Sequence, residues 1–144
     1  MVLGGEYRHV VDAKNRLFIP AKLRDELGST FIITKALRNR CLTVYSLEEW
    51  EAYIEPIRRQ ERKLVEETIR FLHAPLITVT PDSQGRVVLT PTLMRYAGLD
   101  KNAVIVGCSS YAEIWAAENY VSVDDEDDEA ARLAMVEKLE KLGL

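Results

Sequence analysis

Two short stretches, DAKNRLFIP at 12–20 and DSQGRVVLT at 82–90, repeat one design seventy residues apart. Each begins with Asp, continues through two polar residues to Asn or Gly, and places an Arg before an apolar run. The Asp can accept hydrogen bonds from the amides that follow it, and Gly or Asn adopts a left-handed backbone at low steric cost. The pattern therefore predicts a compact bend, with Asp12, Asp82 and Gly85 as turn-forming residues. A bend of this kind is also compatible with a purely structural hairpin turn.

The similarity extends well beyond the two bends. A shift of 70 residues superimposes Arg16 on Arg86, Gly28 on Gly98 and Tyr45 on Trp115. A duplicated unit of this size rarely buries its apolar face alone, so the two halves are expected to pack together. We divide the chain into a first repeat at 6–53, a helical linker at 54–74, a second repeat at 75–123, and an acidic helical tail at 124–144.

Each half is predicted to form a strand, a tight turn, a second strand, a short helix, two further strands and a helix. The short helices, PAKLRDELG at 20–28 and PTLMRYAG at 91–98, begin with Pro and close with Gly, as capped helices do. Ser46 and Glu49 have the spacing of a capping box for the next helix.

We expect Pro56 to interrupt that helix. A second helix is predicted from 57 to about 74, and the tail from 124 is predicted to form a third. The apolar face of the second helix is assigned to Ile57, Leu64, Thr68, and Phe71 or Leu72, and that of the tail to Leu133, Val136, Leu139 and Leu142.

The net charge of −4 conceals an uneven distribution. Residues 1–40 hold eight Lys or Arg against four acids, whereas DDEDDE at 124–129 holds six acids. The acidic total therefore does not exclude an anionic partner, because the positive charge is concentrated in the first repeat. The acidic run is interpreted as a solvated helix start, or as a segment that competes with an anionic partner for the basic face.

Several other classes of protein are disfavoured. No apolar run approaches the length of a membrane span, and the N-terminus lacks the pattern of a signal peptide. Cys41 and Cys108 could form a disulfide, but we expect them to be buried free thiols of a reducing cytosol. His9 and His73 lack the neighbours of a metal site, and phosphate-binding or nucleophile motifs are absent from the sequence. We therefore expect no enzyme activity, catalytic residue, metal, cofactor or small-molecule substrate.

The chain resembles the MraZ family and, more broadly, the AbrB-like swapped-hairpin transcription factors. The resemblance covers about residues 1–123 and rests on two stretches, GEYRHVVDAKNRLFIPAKLRDELG and DSQGRVVLTPTLMRYAGL. VYSLEEW and AEIWAAENY support it. It implies an α+β fold of two tandem swapped-hairpin β-units with flanking helices and a pseudo-two-fold internal repeat. Three departures from the family pattern are Asn15 in place of Gly, Thr90 in place of Pro, and the acidic tail.

The resemblance also implies a function. Members are DNA-binding regulators, typically repressors of the division and cell-wall gene cluster that encodes them, and they bind G-rich direct repeats in its promoter. It implies a cytoplasmic, nucleoid-associated protein that forms a ring-shaped homo-oligomer, often an octamer, and contacts double-stranded DNA through its D-x-x-x-R loops.

The chemistry of the loop residues is consistent with this function. The planar fork of an Arg can bind O6 and N7 of guanine, so Arg16 and Arg86 are predicted to contact DNA. Lys14 and Arg8 are expected to supply charge for phosphates, and Asn15 lies in the same loop. Because Ser83 and Gln84 flank the second loop where the first has a Lys, we expect the first repeat to dominate affinity.

One alternative to a DNA-binding regulator remains at this point. The chain could be an AbrB-like antitoxin or a protein-interaction module whose helices bind a partner. Two complete repeats argue against this alternative, because such an antitoxin normally joins one hairpin unit to an unrelated tail. The large aromatics at matching repeat positions are interpreted as packing residues rather than base-stacking platforms: Tyr45, Trp50, Trp115 and Tyr120.

Overall fold

The structure of the chain is a computed structural model that describes residues 1–120 and 128–144. Its eight strands are β1 (Glu6–Val10), β2 (Arg16–Phe18), β3 (Phe31–Lys35), β4 (Leu42–Ser46), β5 (Ile77–Val79), β6 (Arg86–Val88), β7 (Asn102–Gly107) and β8 (Ala112–Ala116). Its helices are α1 (Ala21–Leu27), α2 (Leu47–Arg58), α3 (Arg62–His73), α4 (Pro91–Ala97), a 3₁₀ turn (Ala117–Asn119) and α5 (Asp128–Lys141).

The predicted order of strands and short helices is confirmed. Gly28 and Gly98 come directly after the last residues of α1 and α4 as C-caps, and the Ser46 hydroxyl accepts a hydrogen bond from the Glu49 amide at the start of α2. In the second repeat, however, the expected final helix is only the short 3₁₀ turn. The two repeats therefore share their strands and short helices but differ in the segment after the last strand.

The strands of the two repeats are exchanged. The main antiparallel sheet has the order β1-β7-β8-β4-β3-β5, so the first strand of each repeat pairs with the third strand of the other. The second strands, β2 and β6, pair separately as a two-stranded ribbon. If each strand is replaced by its counterpart in the other repeat, the same strand order is obtained, read from the opposite edge of the sheet. This symmetry confirms the pseudo-two-fold internal repeat. Matched residues face each other on the axis, Leu17 opposite Val87 and Thr43 opposite Glu113.

The main core lies between the sheet and the ribbon, and both repeats contribute to it. Leu17 and Val87 project inward from the ribbon and are 0% and 3% exposed. Leu23 of α1 and Leu93 of α4 join them at equivalent positions. Because each repeat supplies one strand to the other's side of the sheet, neither has a core of its own.

The helices α2 and α3 cover the other face of the first repeat. A second cluster, which we call the outer core, consists of Ile32, Tyr45, Trp50, Ile54 and Leu72. The predicted packing of Tyr45 and Trp50 is thus confirmed, whereas Trp115 and Tyr120 are half-buried and lie 6.0 Å apart between ring centroids.

Two helix predictions are wrong. Pro56 lies inside α2 and costs it one intrahelical hydrogen bond, but the helix continues to Arg58 and ends two residues after the proline. The second helix begins at Arg62 rather than at residue 57, after an N-cap at Glu61. Of the two residues offered as alternatives for the end of its apolar face, Leu72 is the one that packs in the outer core. Leu72 is buried, whereas Leu64 and Phe71 are 52% and 37% exposed.

The tail helix α5 starts within the acidic run, and residues 124–127 of that run lie outside the described residues. Three residues of its predicted apolar stripe, Leu133, Leu139 and Leu142, are exposed. No helix in the described ranges combines the length and the apolar character needed to cross a membrane.

Cys41 is buried, Cys108 is half-buried, and both are free thiols. Each sulfur lies near the carboxylate of Glu113, at 3.8 Å and 3.7 Å. Burial and this carboxylate raise the pKa of Cys108 to about 11, and the same two causes raise the pKa of Cys41. The two thiols are therefore kept protonated, and Cys41 is a core residue.

The attachment of α3 to the sheet depends on a buried hydrogen bond. The Thr34 hydroxyl donates to the Leu72 carbonyl at 2.5 Å, and that carbonyl belongs to the last turn of α3, where backbone acceptors lack helical partners. We expect Thr34→Val to lower the free energy of unfolding by about 1–3 kcal/mol, measured by urea denaturation. Thr34→Ser retains the hydroxyl and is the control; equal stability of the two variants would contradict the role of this bond.

Candidate nucleic-acid interface

The first bend spans residues 12–16 and is organised by one carboxylate. Asp12 Oδ1 accepts hydrogen bonds from the backbone amides of Lys14 and Arg16, both at 2.9 Å. Asp12 Oδ2 accepts from Nε of Arg16 at 2.7 Å. The Asn15 amide donates to the Asp12 carbonyl at 3.0 Å, and Asn15 itself has φ 60°. The predicted turn is confirmed, and its left-handed position tolerates Asn as expected.

The second bend, residues 82–86, repeats this arrangement almost atom for atom. Asp82 Oδ1 accepts from the amides of Gln84 and Arg86 at 2.9 Å, and Oδ2 accepts from Nε of Arg86 at 2.9 Å. Gly85 occupies the left-handed position with φ 80°. The same side-chain chemistry has therefore produced the same backbone in both repeats.

The two bends are fastened to each other. The Ile19 amide donates to the Gly85 carbonyl at 2.9 Å, and the Leu89 amide donates to the Asn15 carbonyl at 2.8 Å. These bonds extend the β2–β6 ladder by one step at each end. Each bend is therefore held by the strand that leaves the other.

The β2–β6 ribbon has one buried face and one outer face. Leu17 and Val87 lie on the buried face, and alternation along a strand places the residues on either side of them on the other face. Arg16 lies opposite Val88, and Phe18 lies opposite Arg86. We call these four residues the reading face. It brings the arginines of both bends together on one surface.

The guanidinium groups of both arginines on the reading face are only partly engaged by the described residues. Their side chains are 30% and 28% exposed for Arg16 and Arg86, and Nε of each is bound to its Asp. Among the described residues, no hydrogen bond occupies the terminal nitrogens of either guanidinium. Each Asp therefore fixes the base of the guanidinium and leaves its outer edge available for an external acceptor.

The carboxylates of the bends are held in their ionised form. The backbone amide of Arg16 is the main cause that lowers the pKa of Asp12, and the amide of Arg86 does the same for Asp82. The amides two residues after each Asp and the two guanidinium groups lower these pKa values further. The bends are therefore fully formed at neutral pH.

Of the other predicted contact residues, Lys14 lies in the first bend and Arg8 lies away from it. Lys14 is exposed in the first bend, next to Arg16. Arg8 is exposed on the edge strand β1, where alternation puts it on the sheet face opposite that of His9. The His9 ring contacts Phe18 of the ribbon at 5.1 Å between centroids, so Arg8 lies on the face turned away from the ribbon. The structure thus separates Arg8 from the other predicted residues.

A further arginine lies at the second bend. Arg24 belongs to α1 of the first repeat, and its Nε donates to the Ile19 carbonyl at 2.8 Å. A Cβ added at Gly85 would lie only 2.8 Å from Cζ of Arg24, so this guanidinium rests on the glycine of the second bend. Its Cζ also lies 5.6 Å from the centre of the Phe18 ring. Sequence motifs do not reveal this contact, because it crosses from one repeat to the other.

Comparison with known proteins places these features in a family. The family model described as "MraZ protein, putative antitoxin-like" matches the chain twice, at residues 2–72 and 71–140. The chain belongs to the MraZ family. The two matches correspond to the two repeats that the exchanged sheet joins.

Similar full-length MraZ relatives are named "Transcriptional regulator MraZ". The relative from Clostridium tetani is 37% identical over 142 residues, which cover 97% of this chain and 98% of the relative. The relative from Acetivibrio thermocellus is 40% identical, with 97% and 98% covered. The relative from Symbiobacterium thermophilum is 41% identical, with 96% and 99% covered. The resemblance inferred from the two bends is thus confirmed along nearly the whole chain.

The carboxylates of the bends predict an acid dependence of stability. Because the folded-state pKa values of Asp12 and Asp82 lie below the ordinary value of 3.8, their contribution is complete above that pH and is lost as pH falls through the folded values. We expect Asp12→Asn/Asp82→Asn to lose less stability than the wild type between pH 7 and about pH 2. Urea denaturation across this range is the measurement.

Asp25→Asn changes an exposed carboxylate of α1 and is the control for that comparison. The amide oxygen of Asn can still accept from the two backbone amides, so the turn should persist while the ion pair with Arg is lost. Identical acid dependence of the double variant and the wild type would show that the bends do not contribute to it.

Proposed function

We propose that the chain is a transcriptional regulator that binds specific DNA sequences through the reading face of the β2–β6 ribbon. The observation that carries this proposal is the placement of Arg16 and Arg86 on one outer surface, each oriented by its own Asp. The names of the similar MraZ proteins support the regulatory role.

The dimensions of the ribbon suit the major groove of DNA. This groove admits a two-stranded β-ribbon, and a bidentate Arg contact with guanine is the commonest specific contact there. Arg16 and Arg86 are diagonal neighbours across the ladder. The Cα atoms of two residues in this relation are about 7–8 Å apart. This distance corresponds to about two base-pair steps of 3.4 Å. One ribbon can therefore reach two guanines within a short G-rich box.

A single ribbon offers few cations, and an oligomer would compensate for this. Several reading faces held in one assembly bind repeated boxes with an effective concentration that a lone subunit lacks. We infer a ring-shaped homo-oligomer, with an octamer favoured by the family resemblance, on DNA that carries direct repeats. Light scattering of the purified protein at several concentrations tests the subunit number.

The biological setting that we propose also rests on the family resemblance. The chain would repress the division and cell-wall gene cluster through its own promoter and would associate with the nucleoid. The words "antitoxin-like" in the family description favour a second candidate, an antitoxin that binds a toxin protein. A toxin gene beside this gene would support that candidate, whereas a division and cell-wall cluster would support the first.

The reading face predicts the effect of removing its arginines. We expect Arg16→Ala and Arg86→Ala each to weaken binding to the DNA upstream of the gene by about 1–3 kcal/mol and to relax the preference for it over scrambled DNA. Fluorescence anisotropy titrations at several salt concentrations measure both quantities. Lys14→Ala should instead weaken binding to both DNAs alike.

The matched control for these variants is Arg62→Ala. Arg62 is 91% exposed on α3, away from the ribbon, and it pairs with Glu66. Light scattering must show that each variant keeps the wild-type subunit number. If Arg16→Ala and Arg86→Ala bind as tightly and selectively as Arg62→Ala, DNA is not read by the ribbon.

An apolar base contact is predicted beside the first arginine. Val88 is 58% exposed on the reading face, directly opposite Arg16, and an apolar side chain in the major groove can contact the methyl group of thymine. Replacing a thymine near the bound guanine with deoxyuridine removes that methyl, and we expect about a fourfold loss of wild-type affinity. Val88→Ser should be insensitive to this replacement, whereas Leu64→Ser should retain the wild-type response. Equal sensitivity of all three proteins would contradict the contact.

A further inference from the structure

We propose that Arg24 is a third DNA-contacting arginine, which binds a backbone phosphate beside the second bend. This inference rests on the proposed function, because it assigns one more contact to the same surface. It concerns a residue of the first repeat that acts at the bend of the second. Three features support it: the groups that fix Arg24, the absence of a compensating acid among the described residues, and the difference between the two bends.

The Arg24 side chain is fixed by neutral groups. Its Nε is bound to the Ile19 carbonyl, its guanidinium rests on Gly85, and the Phe18 ring lies beneath its charge. These contacts hold the guanidinium at the second bend, next to the strand that carries Arg86. Gly85 has no side chain, and a Cβ there would collide with Cζ of Arg24. The glycine thus makes room for the arginine of the other repeat.

The charge of Arg24 is not neutralised within the described part of the chain. Arginines on the helices, such as Arg58, Arg62 and Arg132, form ion pairs with nearby glutamates. No carboxylate of the described residues lies within ion-pair distance of Arg24. A cation that is held by a carbonyl and a glycine, half-buried, and left without an acid is suited to an external anion. Phosphate oxygens are the anions closest to a ribbon bound in the major groove.

A comparison of the repeats explains why the second bend needs this residue. The first bend carries Lys14 beside Arg16, whereas the second has Gln84 at the position of Lys14. The counterpart of Arg24 in the second repeat is Met94, which packs against the main core. Each bend therefore has two cations, Arg16 with Lys14 and Arg86 with Arg24. This equality argues against the expectation that the first repeat dominates affinity.

The test compares Arg24→Met, which installs the residue of the second repeat, with Arg24→Lys, which keeps the charge. The probe is the DNA upstream of the gene, titrated between about 50 and 200 mM salt. Each lost phosphate contact lowers the slope of log affinity against log salt by about 0.9. For Arg24→Met, we therefore expect the affinity ratio between these two salt concentrations to shrink about 3.5-fold for each chain engaged with DNA. Arg24→Lys should keep a slope close to that of the wild type.

A second set of probes locates the contact. Methylphosphonate substitution removes the charge of one DNA phosphate at a time. We expect at least one phosphate in each box whose replacement lowers the affinity of the wild type but not that of Arg24→Met. Replacement of the same phosphate should still lower the affinity of Arg86→Ala. Wild-type slope and a wild-type methylphosphonate profile for Arg24→Met would overturn the inference.

A structural role of Arg24 gives a different result. If Arg24 only supports the second bend, Arg24→Met lowers affinity while the phosphate profile keeps every wild-type position, and this outcome also overturns the inference. The proposed function is judged separately by Arg16→Ala. If Arg16→Ala abolishes specific binding and Arg24→Met changes neither slope nor profile, the function stands and the assignment of Arg24 fails. If the wild type does not prefer the upstream DNA, the proposed function itself fails.

Discussion

The ladder between β2 and β6 is the constraint on which the rest of the molecule depends. It places Leu17 opposite Val87 on the pseudo-two-fold axis, where both side chains are buried in the main core. Hydrogen bonds between each bend and the strand that leaves the other bend extend this ladder. Because the inner face of a ribbon this short is fully buried, its outer residues cannot shift register without moving the core. The positions of both arginines are thus set by core packing, far more rigidly than those of two surface loops would be.

The symmetry of the frame contrasts with the asymmetry of its coverings. The first repeat is covered on its outer face by α2 and α3, through the outer core, whereas in the described part of the second repeat the last strand is followed by a short 3₁₀ turn. Near the ribbon, Phe18 is flanked by His9 and Arg24, but its counterpart Val88 is largely bare. Duplication therefore supplied a backbone in which equivalent residues meet, and later divergence gave its two halves different chemistry. If DNA binds to the reading face as we propose, the different chemistry of its two halves would not favour a palindromic sequence.

Features set by nearby residues were predictable from the sequence, and features set by contacts between repeats were not. The local geometry of the bends was predictable, because the carboxylates of Asp12 and Asp82 bind amides no more than four residues away. The exchange of strands was predicted only from the family resemblance, because the alternation of apolar and polar residues along a strand does not identify its partner strand. The face of α3 that packs is decided by Thr34 and Leu72 in the tertiary structure, and the separation of Arg8 by the pairing of β1 with β7. The position of Arg24 depends on a glycine of the other repeat.

The pairing of each Asp with its Arg contributes more to geometry than to stability. An exposed ion pair contributes little to stability because solvent screens it, and both pairs are partly exposed. Each carboxylate also carries a negative charge into a surface that we propose binds an anion, which by itself would weaken association. The Asp also orders the guanidinium before binding, which favours association. Fixing a long side chain at an interface otherwise costs about 0.5–1.5 kcal/mol. The Asp thus trades long-range attraction for a preformed contact, which favours selectivity among sequences over affinity for DNA in general. Lys14 and Arg24, which lack such an acid among the described contacts, are the residues suited to restore the attraction.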